Sequence, residues 1–299
     1  MDSIHIVTTK TMATASPYKE LLLLALRSSV SESAIAWMET AQNKLHQSQN
    51  LENDFLTLSA MARRKLGKQT LAPNSEAIET AGGQLALTHW RCGDTGRVIL
   101  LLELCELRPT ETEKWAALLF HHGDEAERIS VLHALPLLPQ PETLKQIALE
   151  AGRTNSLKLF SAIAQNNPYP CTYYNDHEFN PVVIKSLFNG LNIDPIMGLT
   201  ERANPALSKM CEEYADERLA ANRSLPYDIW LAIAPYASTE GKNKILKYLG
   251  DQEQKHRLFA IIALGRNLSS HPEYRKILKQ TQQRETDDQV LSALQKYIT

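Results

Sequence analysis

The stretch "FHHGDEAERISVLHALPLLP" (residues 120–139) decides between chemistry and architecture. His121 and His122, with Asp124, Glu125 and Glu127, suggest a metal or acid/base cluster. The same residues also spell the start of a helix. An Asp at the N-cap and a Glu at N3 satisfy each other's backbone donors, and Glu125 adds negative charge to the positive end of the helix. Ile129, Leu132, Leu135 and Pro136 then form a buried side. Adjacent histidines on a helix point about 100° apart and Gly123 breaks the segment after them, so they make a poor metal pair. The spacing therefore predicts a helix capped by Asp124 and Glu127, with no metal and no cofactor assigned.

Other helix starts recur along the chain. Thr110 with Glu113, Thr286 with Gln289 and Asp251 with Gln254 read as capping boxes, and Asn204 before Pro205 reads as a cap followed by proline at the first helical position. An internal echo joins "RISVLHAL" (128–135) to "RLFAIIAL" (257–264), each following a Gly-Asp pair. Only "IHIVTT" (4–9) alternates like a strand, and 12 glycines are few for 299 residues. The expectation is an all-α chain of antiparallel helix pairs, as a HEAT-like α-solenoid or an irregular multi-helix array. The Pro- and Gly-bearing segment 67–83 reads as a linker between an N-terminal helical lobe (1–66) and a main helical-repeat domain (84–299), unless the whole is one continuous domain. "NNPYPCTYYNDHEFNP" (166–181) reads as a long loop.

Composition excludes several classes of function. Thirty-two basic and 34 acidic residues leave a formal charge of −2, so no global field draws the chain to nucleic acid. The four cysteines lack a C-x-x-C pair, which suits thiols in a reducing compartment. "VILLLELCEL" (98–107) is about half the length of a membrane span and is interrupted by Glu103 and Glu106. With no basic n-region at the start, a soluble, cytoplasmic protein without a membrane span is expected. The sequence contains no phosphate-binding Gly-rich loop, zinc-protease helix or nucleophile elbow.

Chemistry, if present, gathers around the 166–181 segment. Asp176, His177 and Glu178 could form a metal or acid/base group, and Tyr169, Tyr173 and Tyr174 could line a ligand face. Just upstream, "EAGRTNSLKLF" (150–160) is read with Gly152 ending one helix and Thr154 or Asn155 capping the next, which leaves Arg153 at a junction able to hold an anion or a helix-end carbonyl. Lys185 should lie largely off its helix's apolar face. The segment after Asn204 is a charged helix in which Glu212, Glu213, Asp216 and Glu217 interleave with Arg218 and Arg223.

Taken in order, "ARRKLGK", "GRVILLLEL", "FHHGDEAER", "EAGRTN", "NPYP", "FNPVVIKSLFNG" and "GLTERANPALSKMCEEYADERLAANRSLP" resemble the EboA family over roughly residues 50–235. That family is encoded in bacterial ebo gene clusters whose products are associated with moving natural-product precursors from the cytoplasm toward the periplasm. The resemblance implies metabolite trafficking, with other ebo-cluster proteins or a small-molecule metabolite as partners, and supplies no catalytic residue. It points to His121, Arg128, Arg153, Asn155, Tyr169, Asn180, Lys185, Arg202 and Tyr214 as candidate ligand- or partner-binding positions, beside the matching Gly123, Asp124 and Asn204. His122 stands where arginine is expected. Pro181 stands where a polar residue is expected, which puts a helical Asn180 in doubt. A non-catalytic helical-repeat adaptor or carrier is the leading expectation, with a pathway enzyme acting on a small anionic or aromatic metabolite as the alternative.

Overall fold

A computed structural model describes residues 16–72 and 77–298. The strand-like 4–9 segment lies outside the described residues. Those described form helices and one two-stranded hairpin, so the chain is all-α in class. They divide into two compact units, one through Arg153 and one from Thr154 onward.

The first unit contains α1 (Ser16–Arg27), α2 (Glu32–His46), α3 (Leu51–Leu66), the hairpin β1 (Ile78–Thr80) and β2 (Gly83–Leu85), then α4 (Cys92–Leu107), α5 (Thr112–His122), α6 (Glu125–Ala134) and α7 (Lys145–Arg153). The apolar run of 98–107 makes α4 hydrophobic on every side, and such a helix must be enclosed. It is: every residue from Cys92 to Cys105 is buried, with α1, α2, α3, α5 and α6 packed around it. Gly93 is what permits α3 to come so close, since a Cβ there would stand 2.7 Å from Arg63 Cα. Residues of the 67–83 segment also dock on the start of this helix: Cys92 N–H donates to Gln69 O (2.9 Å), and Leu71 N–H to Trp90 O (2.8 Å). No helix among the described residues is long and apolar enough to cross a membrane.

The second unit contains α8 (Leu157–Ala164), α9 (Tyr169–Tyr173), α10 (Asp176–Phe188), α11 (Pro205–Ala220), α12 (Trp230–Ile233), α13 (Thr239–Tyr248), α14 (Gln254–Arg266), α15 (Tyr274–Gln282) and α16 (Asp288–Ile298). The short α12 packs against α11 and α14, and its fully buried Trp230 meets the Tyr248 ring of α13 at 4.7 Å. Further along, Arg257 grips Glu285 in a bidentate pair (2.8 and 3.1 Å), and these bonds hold the Glu285 carboxyl down to about 2.

Several expected starts move. Asp124 and Glu127 do form a capping box, and Asn204 does cap α11. But α5 begins at Thr112 rather than beside Thr110, Asp287 takes the place expected of Thr286, and Asp251 accepts from Glu253 N–H just outside α14. Gly152 lies within α7, and Ser156, not Thr154 or Asn155, caps α8. At α8 and α16 a capping side chain one or two residues away, Ser156 and Asp287, takes the orphan amides, whereas α5 and α14 start without a side-chain cap bond. The expected long loop at 166–181 is instead α9 and the start of α10, with Asn175 and Glu178 forming a second capping box. Asp176, His177 and Glu178 are thus the first turn of a helix.

One pH prediction arises in the first unit. His133 of α6 stacks on Trp90 (ring centroids 5.0 Å apart, 17° between planes), and burial pushes its imidazole from 6.5 down to about 4. A histidine depressed in the fold favours the native state above its unfolded value and loses that contribution as pH falls through the folded one. Wild type should therefore lose on the order of 2–3 kcal/mol between pH 6.5 and 4 that His133→Phe does not lose. Denaturant midpoints of both proteins across that window provide the check.

Candidate functional site

The candidate positions in the second unit form a knot that ties α8 to α11. Arg202, in the turn before α11, donates from Nη1 to the carbonyls of Cys171 and Tyr174 (both 2.8 Å). Its Nη2 meets Asp176 at 2.8 Å, and its guanidinium lies over the Phe179 ring at 5.1 Å. One side chain thereby satisfies the carbonyl end of α9, pairs with the first turn of α10 and fixes the approach to α11.

Asn180 and Asn204 face each other through reciprocal amide bonds (3.1 and 3.0 Å), while Asn204 Oδ1 also accepts from Leu207 N–H. Asn180 lies inside α10 despite the exposed Pro181 that follows it, contrary to the doubt raised by that substitution. Tyr214 OH donates to Leu187 O (3.1 Å) and lies within 3.1 Å of Arg218 Nη1. Tyr169 is fully buried against Tyr173 and Tyr174. Lys185 is half-buried. Its Nζ donates to Thr154 O (2.7 Å) above the Phe160 ring, and desolvation lowers its pKa. The charged face of α11 is partly engaged too, with Glu212 accepting from Ser238 and Asp216 paired with Lys244 of α13.

In the first unit the motif behaves differently. Asp124 and Glu127 are engaged in capping, and Glu127 also accepts from Ser59 Oγ (2.8 Å). Gly123 is needed because a Cβ there would meet Leu119 O at 2.5 Å. Arg128, however, only stacks its guanidinium over Phe120, 4.7 Å from the ring centre, and its shielded Nε–H has no hydrogen-bond partner. His121 is exposed, edge-on to the same ring, with Nδ1 3.8 Å from Glu150. Arg153, exposed, follows Glu150 by three residues on α7, the spacing that puts two side chains on one helical face. Asn155, in the second unit, is exposed ahead of α8. Among the described residues no group of three or more His, Cys, Asp or Glu is disposed to hold a metal ion.

The ordered motifs thus map onto two coherent structures, a helix knot and a capped α5–α6 corner. The family model described as "Metabolite traffic protein EboA" matches residues 18–234. The chain belongs to the EboA family. Its broad role is accordingly metabolite traffic. No curated protein and no solved structure matches the chain. The EboA match begins in α1 and ends just after α12, so it takes in both the α4 assembly and the α8–α11 knot, while α13–α16 lie beyond it.

Within the EboA region, sequence reasoning missed two charged residues on α4. Glu103 is buried and accepts from Lys19 (3.0 Å), Gln42 and His46 (both 2.6 Å). Arg97 is buried and donates to Ser59 O (3.1 Å) and Asp94 (2.9 Å). A charge within a helix apolar on all sides requires a partner, yet by local pattern Glu103 reads as an interruption of the apolar run and Arg97 stands just ahead of it. A cavity of about 390 Å³ lies beside the Arg202 turn, lined by Ile196, Gly198, Leu199, Thr200, Glu201 and Arg266, and none of the candidate positions lines it.

The knot carries its own prediction. Arg202→Ala should cost roughly 3 kcal/mol, because it strands two helix-end carbonyls as well as removing an ion pair. Thermal or urea unfolding of the variant measures this, and a change below about 0.5 kcal/mol, the level of an ordinary surface substitution, would remove the structural role.

Proposed function

We propose that this chain acts in metabolite traffic as a non-catalytic helical adaptor or carrier. In that role it works in the cytoplasm with other ebo-cluster proteins, or with a natural-product precursor bound to it, to pass that precursor toward the periplasm. The observation that supports this reading is how the EboA motif residues are used. Tyr169, Asn180, Arg202, Asn204 and Tyr214 fasten helices to one another, whereas His121, Arg153 and Asn155 are exposed and the Arg128 guanidinium engages no protein acceptor. A rigid scaffold with a few outward donors suits holding and handing over better than bond-making.

The alternative enzyme reading draws support from one feature. Lys185 is desolvated above Phe160, and a lysine with a lowered pKa is a step toward amine chemistry on a carbonyl group. Native mass spectrometry of the protein, gently purified with its neighbouring genes intact, separates the two. A stoichiometric protein partner, or an unaltered small mass retained by the chain, supports the adaptor or carrier. Conversion of a pathway intermediate by the chain alone, lost in Lys185→Arg, replaces it with the enzyme.

A further inference from the structure

We propose that Arg128, standing on Phe120 beside His121, receives the carboxylate or phosphate oxygens of a small metabolite. This rests on the carrier reading for the origin of the ligand and goes beyond it in naming a chemical class and a place.

The geometry begins with Phe120, a buried ring at the end of α5. Arg128 covers its face at 4.7 Å and His121 meets it edge-on at 5.4 Å, so two cation-forming side chains share one apolar platform. Stacking fixes the plane of a guanidinium and leaves its rim of N–H donors for a planar or tetrahedral oxyanion. Arg128 has no acceptor at any of them. Asp124, one turn earlier on the same helical face, directs its carboxylate to Glu127 N–H (2.8 Å). Glu127 directs its own to Ser59 and Asp124 N–H. The fold therefore keeps both nearby carboxylates away from a half-buried arginine whose Nε–H is shielded and unsatisfied, a costly arrangement if its only purpose were to cover a ring. Arg202 is the counter-example in the same chain: it also covers a phenyl ring, but three protein acceptors engage it. On the other side of the platform the Glu150 carboxylate lies 3.8 Å from His121 Nδ1.

The test is a titration of the full chain with inorganic phosphate and, separately, with benzoate. It follows the Arg128 Nε–H signal in nitrogen-15 correlation spectra, assigned by its disappearance in Arg128→Lys. A saturable shift with a dissociation constant of about 1 mM or tighter is expected for at least one probe, and the tighter one identifies phosphate or carboxylate as the group received. Arg128→Lys keeps the charge but loses the fork, so backbone signals of the α5–α6 corner should then report binding weakened about tenfold or more. That variant should melt like wild type, because the Arg128 side chain makes no hydrogen bond in the fold and its backbone bond to Asp124 O is kept. Non-saturating shifts with both probes, or equal affinity in Arg128→Lys, would show Arg128 to be only a cover for Phe120 and overturn the proposal. The two readings fail separately. A pathway mass retained equally by wild type and Arg128→Lys removes this site and leaves the carrier. Saturable binding at Arg128 in a chain that itself converts the intermediate keeps the site and removes the carrier.

Discussion

Arg97→Ala is expected to destabilise the first unit by about 3–5 kcal/mol, enough to leave a marginally stable domain largely unfolded. Arg97 is 1% exposed on α4, and its removal takes a large side chain out of a closed core. It also leaves Asp94, itself 8% exposed, without its 2.9 Å partner. Burial already raises the Asp94 carboxyl, with Arg97, Arg91 and Arg63 opposing that rise. Without Arg97 the rise should grow, so the variant should recover part of its lost stability under mild acid, where Asp94 takes up a proton. Arg97→Ala with Asp94→Asn should be less damaged than the two single changes predict together. Denaturant unfolding of the four proteins supplies the coupling, and strict additivity would mean the buried pair does not act as one.

The second large effect concerns Glu103, which is 3% exposed and gathers α1 and α2 onto α4. Burial opposes its charge, but hydrogen bonds from Gln42, Lys19 and His46 prevail and hold its carboxyl below the ordinary value. Glu103→Ala should cost about 3 kcal/mol. Lys19 keeps Glu106 as a second partner, which limits the loss. Because a lowered carboxyl stabilises the fold above its unfolded value and ceases to as pH falls, the gap between wild type and Glu103→Ala should narrow in acid. Amide exchange should localise the damage to α1 and α2 rather than to α6. An unchanged midpoint, or protection lost evenly over the first unit, would show that the bonds to Glu103 do not hold those helices in place.

Legibility followed the range of each interaction. Asp124 with Glu127, and Asn204 before Pro205, could be read directly because a cap needs only residues a few positions apart. The same locality misleads at Thr110, Thr286 and Asp251, where the helix is entered one or two residues further on, at Glu111, Asp287 and Glu253. By local pattern the prolines of the 166–181 segment favour a loop. Yet Pro168 and Pro170 sit at the first turn of α9, where a missing N–H does no harm, and Pro181 projects to solvent from α10. Arg202, Asn180 and Tyr214 stood out as family positions, but their roles depend on partners 24 to 31 residues away, which no local pattern encodes. Glu103 lay outside the list because its partners, Lys19, Gln42 and His46, come from two other helices; Arg97 has Asp94 three residues before it, but the burial that makes the pair matter and its bond to Ser59 O come from packing against α3.

The central claim is that the EboA motif divides into positions that build the scaffold and positions that serve its traffic. The most direct test replaces each candidate position by alanine in the producing cell and measures two quantities for every variant: folded protein abundance and export of the precursor. At Tyr169, Asn180, Asn204, Arg202 and Tyr214, export should fall only in step with abundance, whereas at His121 and Arg128 it should fall at full abundance. Loss of export at full abundance for Arg202 and Tyr214, with His121 and Arg128 silent, would contradict the account.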